Sequence, residues 1–174
     1  MSYIFSLANA EDAEQLVTLI NSAYRGDGSK LGWTTEADLL DGRRVTLQDI
    51  QRLLIAKDSC LISCRKFSEL IGSITASLQQ DSAQISMLAV NPIYQGQGVG
   101  KRLIKAAEEY ASQTWGIKRY QMYVISCRRE LIAFYQRLGY HYNGVNCAFP
   151  ENPEVWQAKV VGLRLNLLEK TRID

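Results

Sequence analysis

The sequence predicts an α/β domain: a mixed sheet of about seven strands flanked by about four helices, with residues 1–174 forming a single unit. Three observations carry that prediction. Apolar residues recur at helical spacing in some segments and gather in short strand-like runs in others. Three strand-like runs between residues 60 and 90 follow one another across breaks that suit hairpins, so they pair antiparallel. A strand, a helix and a second strand then come in order between residues 83 and 125, and strands joined through a helix lie parallel.

Each element has its own justification. "YIFSLA" (Tyr3 to Ala8) is a short apolar first strand. Asn9 offers a cap, and Ala13, Leu16, Val17, Ile20 and Ala23 then follow the helical period. "GDGSKLGW" (26–33) interrupts that helix with three glycines and reads as an exposed loop. Thr46 caps a second helix carried by Leu47, Ile50, Leu53 and Leu54. The hairpin strands are "CLISCRKF" (60–67), "LIGSITASL" (70–78) and "AQISMLAV" (83–90), with Ile74, Ala76 and Leu78 on one face. Pro92 ends the third, because proline cannot donate to a ladder. Val99, Leu103, Ala107 and Tyr110 make one face of a helix that Gly116 closes, and "YQMYVI" (120–125) is the next strand. Leu131, Phe134, Tyr135 and Leu138 form a stripe on a helix over Glu130–Leu138, stopped by Gly139. "YHYNG" (140–144) and "AKVVGLRLNLLEK" (158–170) are the last two strands.

Composition narrows the function. Apolar residues make up 47% and charged residues 22%, ordinary for a globular domain, and the net charge is only +2. A nucleic-acid binder is not expected: the basic pairs Arg43-Arg44, Lys118-Arg119 and Arg128-Arg129 are too scattered for a stripe. No run approaches the ~18 apolar residues of a membrane span. The N-terminus lacks the basic start and long apolar run of a secretory signal, so the expected location is cytoplasmic. Cys60, Cys64, Cys127 and Cys147 contain no CxxC pair, and His141 is the only histidine, so no metal site is expected. Cys60 and Cys64 share a strand face and read as small buried hydrophobes; His141 reads as structural.

The stretch "NPIYQGQGVGKRLI" (91–104) asks for more. Gly96, Gly98 and Gly100 precede a helix, and Lys101 and Arg102 follow them. Glycines let a ligand approach the backbone, and a helix N-terminus offers unpaired N–H groups to an anion. A Walker A loop would need glycine where Gln95 stands and a hydroxyl where Arg102 stands. A Rossmann fingerprint would need glycine where Lys101 stands. What remains is Gln-x-x-Gly-x-Gly: Gln95, Gly98 and Gly100.

That pattern resembles the pyrophosphate loop of the GNAT superfamily of N-acetyltransferases. "ISMLAVNPIYQGQGVGKRLI" resembles the family's strand, loop and helix in sequence, and "LIAFYQRLGY" (131–140) resembles its second signature. The order of elements fits over nearly the whole chain. The resemblance implies a GNAT-like single domain whose third antiparallel strand and the following parallel strand (83–90 and 120–125) splay apart to admit acetyl-CoA. It implies that main chain at Met87, Leu88, Ala89 and Val90 meets the pantetheine arm. The loop Gln95, Gly96, Gln97, Gly98, Val99, Gly100 and Lys101 then wraps the pyrophosphate. Tyr135 matches the family's general acid for the leaving thiolate, and a phenol, with a reference pKa of about 10, stays protonated at neutral pH. Backbone N–H at Leu88 or Ala89 is the candidate donor to the thioester carbonyl. Where the family often has an asparagine on the cofactor arm, this chain has Arg128, so Arg128 or Ser126 takes that contact.

The acceptor is an amine of a small molecule or of a peptide or protein. The segment 24–46 is its expected wall, with Tyr24 and Trp33 as contacts. The central strand "AQISMLAV" carries no carboxylate. Glu36, Asp38 and Asp41 lie in the covering segment, and Glu36 is the candidate base or amine-binding group. The competing reading is a non-catalytic acyl-CoA-binding regulatory module. A homodimer paired through the late strands is a further expectation.

Overall fold

A computed structural model describes residues 2–173. The elements in chain order are β1 (Ile4–Leu7), α1 (Ala13–Tyr24), α2 (Gly26–Ser29), β2 (Leu40–Gly42), α3 (Leu47–Ile55), β3 (Ser59–Lys66), β4 (Glu69–Leu78) and β5 (Ala83–Val90). Then come α4 (Val99–Trp115), β6 (Arg119–Ile125), α5 (Arg129–Arg137), β7 (His141–Ala148), β8 (Trp156–Ala158) and β9 (Arg164–Thr171). Seven strands form one sheet in the order β1-β3-β4-β5-β6-β9-β7, while β2 and β8 make a separate two-stranded ribbon.

Local chemistry sets the helix ends. Asn9 Oδ1 accepts from Glu11 N at 2.8 Å while Asp12 returns the favour to Asn9 N, so a 3₁₀ turn (Ala10–Asp12) leads into α1. Thr46 and Asp49 cap α3 in the same reciprocal way. Gly116 ends α4 in the left-handed region at φ +69. Two elements differ from the sequence reading. Residues 26–29 form the short helix α2, whose Ser29 is buried and donates to the carbonyl of Gly26, where an exposed loop was expected. The run 158–170 is not one strand: Trp156–Ala158 joins the ribbon, and the sheet strand begins only at Arg164.

Helices cover both sheet faces. Cys60, Ile62 and Cys64 of β3 pack with α4 and Tyr120 in one cluster, while Leu61 joins α1 and α3 in the other. Burial pushes both the Cys60 and Cys64 thiols up to about 11, so they behave as inert hydrophobes. Glu108 of α4 is buried. Its carboxylate accepts from Tyr140 Oη at 2.8 Å and from Lys170 Nζ at 2.8 and 2.9 Å. This clasp ties α4 to β9 and fixes the chain just after α5.

Strand β5 makes the opening. All neighbours in the large sheet are antiparallel except β5 and β6. That parallel pair holds only at Ala83–Tyr120 and Gln84–Gln121, after which the strands part. Between Ser73/Ala89 and Thr75/Ser86, β4 advances two residues and β5 three. The surplus residue is a β-bulge, and Met87 sits there in the left-handed region at φ +49. A one-residue bulge inverts side-chain alternation. Ala83 and Ile85 therefore face the α4 cluster, Met87 and Ala89 the α1 cluster, and Val90 the α4 cluster again.

Candidate active site

Two clefts meet at the parted strands. The first, of about 570 Å³, runs from the glycine loop past Leu88 and Val90 to Phe134 and Tyr135. The second, of about 320 Å³, lies between the diverging walls Gln84–Leu88 and Met122–Ile125. Tyr24, Leu88, Arg128, Leu131 and Tyr135 line both. A molecule in one cleft and a molecule in the other would therefore touch at a shared wall.

The first cleft suits an anion. Gln95, Gly96, Gly98, Gly100 and Lys101 line it, together with Arg137 and Arg128, and no acidic side chain does. Gly98 is the N-cap of α4 at φ +79, with no side-chain cap and no acid in the first turn, so the N–H groups there stay open to a ligand. Gln95 has a role its motif did not reveal. Its Nε2 donates to Val90 O at 3.1 Å, and its Oε1 accepts from Trp33 N at 3.0 Å. It latches the segment 32–34 to the end of β5. A Cβ on Gly32 would lie 2.3 Å from that Oε1, so a larger residue there would push the Gln95 amide aside. Arg102 points away, its guanidinium 4.7 Å from the Phe5 ring centroid. Gln97 accepts from Tyr3 Oη at 2.7 Å outside the cleft, and Val99 is buried core.

At the junction, Tyr135 is buried and lies on α5 between Phe134 and Tyr140, with ring centroids 5.3 and 6.2 Å away. Burial, above all, raises its pKa, so the phenol keeps its proton at neutral pH. Among the described residues its hydroxyl has no hydrogen-bond partner. Tyr24 Oη donates to Leu88 O at 2.9 Å and braces the bulge. Met87 lines the second cleft and Val90 the first, whereas Ala89 and Ser126 line neither.

The second cleft holds an ionic cluster. Glu36 is buried; Arg25 Nη1 donates to its Oε2, and Arg128 Nη1 to its Oε1 at 3.0 Å. Arg128 Nη2 also donates to Thr34 Oγ1 at 2.5 Å. Arg128 thus spends both Nη groups on the segment 34–36. The Nε atoms of Arg25 and Arg128 are buried without a hydrogen bond, and that of Arg128 stands 3.8 Å from Glu130 Oε1. Arg44 lies over the Tyr24 ring, 5.4 Å from its centroid, and lines the same cleft with Phe149 and Trp156.

The expected acceptor wall is thus divided. Tyr24 and Glu36 reach the second cleft, but Trp33 lines the first, 5.7 Å from Phe134. Asp38 and Asp41 line neither; they are exposed and face Lys30 and Lys159 at 3.2 and 3.8 Å. His141 is exposed at the start of β7. Arg25, Arg44, Phe149 and Trp156 were not singled out by sequence. The β2–β8 ribbon brings Trp156 to the cleft, with Phe149 packed 6.4 Å from its ring, and Gly42 (φ +89) is required in the ribbon because a Cβ would stand 2.3 Å from Val155 O. Among the described residues no cluster of His, Cys, Asp or Glu could hold a metal, and no helix is long and apolar enough to cross a membrane.

Comparison with known proteins adds independent findings. The model described as "Acetyltransferase (GNAT) family" matches residues 15–140. A spermine/spermidine N(1)-acetyltransferase from Bacillus subtilis (strain 168) is 33% identical over 51 residues, which are 29% of this chain and 34% of that protein. The match thus spans about a third of the length of that curated relative. PaiA N-acetyltransferase from Thermoplasma acidophilum, solved in complex with coenzyme A, superposes with a TM-score of 0.68 at 19% identity, covering 99% of this chain and 100% of that one. An N-acetyltransferase from Staphylococcus aureus Mu50 superposes with a TM-score of 0.73 at 14% identity, covering 98% and 99%.

Proposed function

The chain belongs to the GNAT acetyltransferase family, and from that premise we propose that it transfers the acetyl group of acetyl-CoA to a primary amine by direct attack in a ternary complex. One observation carries the reading: two clefts with separate linings share the wall of Tyr24, Leu88, Arg128, Leu131 and Tyr135. Direct transfer needs two substrates that enter separately and touch.

The first cleft takes acetyl-CoA. N–H groups at the start of α4 receive the pyrophosphate, Lys101 adds charge, and Gly96 and Gly98 keep the approach clear. The edge of β5 beyond Gln84 has no strand beside it on the β6 side and pairs with the amides of the pantetheine arm. N–H at Leu88, which lines both clefts where Ala89 lines neither, holds the thioester oxygen as charge develops there. The neutral amine attacks the carbonyl carbon, a C–N bond forms and the C–S bond breaks. Tyr135 Oη gives its proton to the departing sulfur, and the proton that the nitrogen loses passes through solvent water back to the Tyr135 phenolate. Glu36 is assigned no proton in this scheme, because both its oxygens are engaged by arginines. That engagement also favours the second reading, an acyl-CoA-binding module without turnover.

The test is coenzyme A release from acetyl-CoA across an amine panel, with Tyr135→Phe beside the parent. We expect turnover in the parent and a fall in kcat of about 10²-fold in the variant, the low end for general acid catalysis, with coenzyme A affinity retained. Binding without turnover on any amine would select the module. Unchanged kcat in the variant would remove Tyr135 from the chemistry.

A further inference from the structure

The second cleft has a charge that its role as amine site does not call for. An ordinary amine arrives as a cation. Yet the charged groups lining this cleft are three guanidinium groups, Arg25, Arg44 and Arg128, against one carboxylate, Glu36. Glu36 is already shared by Arg25 and Arg128. Arg44 forms no ion pair among the described residues and rests on the Tyr24 ring. The neighbouring Asp49, whose carboxyl feels its field, is held in the Thr46 cap. Two of the arginines are more than nine-tenths buried: Arg25 keeps an Nε–H with no acceptor, while the Nε–H of Arg128 makes no hydrogen bond and stands 3.8 Å from the half-exposed Glu130 carboxylate. A buried donor of this kind is rarely left unpaired in native proteins, so the Arg25 Nε–H points to a missing acceptor. The remaining walls are apolar, among them Ile85, Met122, Phe149, Pro150 and Trp156.

We propose that the acceptor is a small zwitterion: a primary amine that also carries a carboxylate, with an apolar side chain, as in a hydrophobic α-amino acid. The inference rests on the acetyl-transfer reading and narrows its substrate. The carboxylate balances the surplus guanidinium charge and accepts from Arg44 and from the unpaired Arg25 donor. The side chain fills the apolar part of the 320 Å³ cleft, and the amine lies toward Tyr135 and Leu88. A polyamine, the substrate named for the Bacillus subtilis relative, would bring further positive charge to this wall and leave Arg44 and the Arg25 donor without an anion.

The test compares two acceptors that differ by the carboxylate alone, L-phenylalanine and phenethylamine, with spermidine as the polycation, in steady-state acetylation by the full chain. We expect kcat/KM for L-phenylalanine to exceed that for phenethylamine by at least about tenfold, the factor of one good polar interaction, and Arg44→Gln to erase most of that ratio. Spermidine or phenethylamine as the better acceptor overturns the proposal while leaving acetyl transfer intact. If acetyl-CoA binds and no amine is acetylated, the acetyl-transfer reading fails. The charge argument is then read from thermal shifts with coenzyme A plus N-acetyl-L-phenylalanine or N-acetylphenethylamine. An Arg44-dependent shift for the first alone supports it, and any other result overturns it.

Discussion

Replacing Glu36 with glutamine separates a structural carboxylate from a catalytic one. The side chains of Glu36, Arg25 and Arg128 are 9%, 5% and 7% exposed, so solvent screens them little. Glutamine keeps the shape but leaves two buried guanidinium groups facing each other, with only the half-exposed Glu130 carboxylate 3.8 Å from Arg128 Nε. Removing one partner from a buried ion pair costs about 3–5 kcal/mol. For a chain of this size each kcal/mol moves Tm by about 2–4 °C, so Glu36→Gln lowers Tm by about 6–20 °C. Differential scanning calorimetry on the ligand-free protein, with urea titration beside it, measures the loss. A Tm within about 2 °C of the parent, equivalent to less than about 1 kcal/mol, would refute the reasoning. If kcat and the acidic limb of its pH profile vanished at the same time, Glu36 would be the base and not the clamp.

Two other perturbations bear on the cofactor loop and the sheet. Gly98→Ala forces a side chain into φ +79, at about 1–2 kcal/mol; coenzyme A titration calorimetry should record about tenfold weaker binding, and unchanged affinity would mean that the loop does not seat the diphosphate. Hydrogen bonds from Arg119 and Gln121 hold the Glu169 carboxyl at about 2, below its ordinary 4.5. A lowered folded pKa means stability that is full above about 4.5 and is lost as pH falls toward about 2. Urea midpoints should drop through that window in the parent and less steeply in Glu169→Gln, and identical slopes would remove Glu169 from the acid response.

How far the sequence could be read depends on the range of each signal. Local signals sufficed for the caps at Asn9 and Thr46, the hairpin strands and the helix stripes, because each depends on residues within a few positions. The glycine loop was legible because only glycine takes φ +75 and +79 without strain at positions 96 and 98. The bulge was not. Nothing in "AQISMLAV" marks Met87 as the residue that turns over, since the left-handed region is seldom occupied by methionine. The second cleft was hidden for another reason. Arg25, Arg44 and Trp156 are separated by up to 131 residues (156 − 25) and meet through strands of three residues. The side of Trp33 was not legible either: it lies three residues from Glu36, yet the Gln95 latch draws it to the first cleft.

The three tryptophans fall at places that make the molecule its own optical instrument. Trp33 borders one chamber, Trp156 borders the other, and Trp115 stands apart at the far end of α4 against Tyr110. Filling either chamber changes the polarity around a different indole, while the third supplies a constant background. Intrinsic emission from single-tryptophan variants can therefore follow the two ligands in separate channels, and the order of their arrival can be timed without a label.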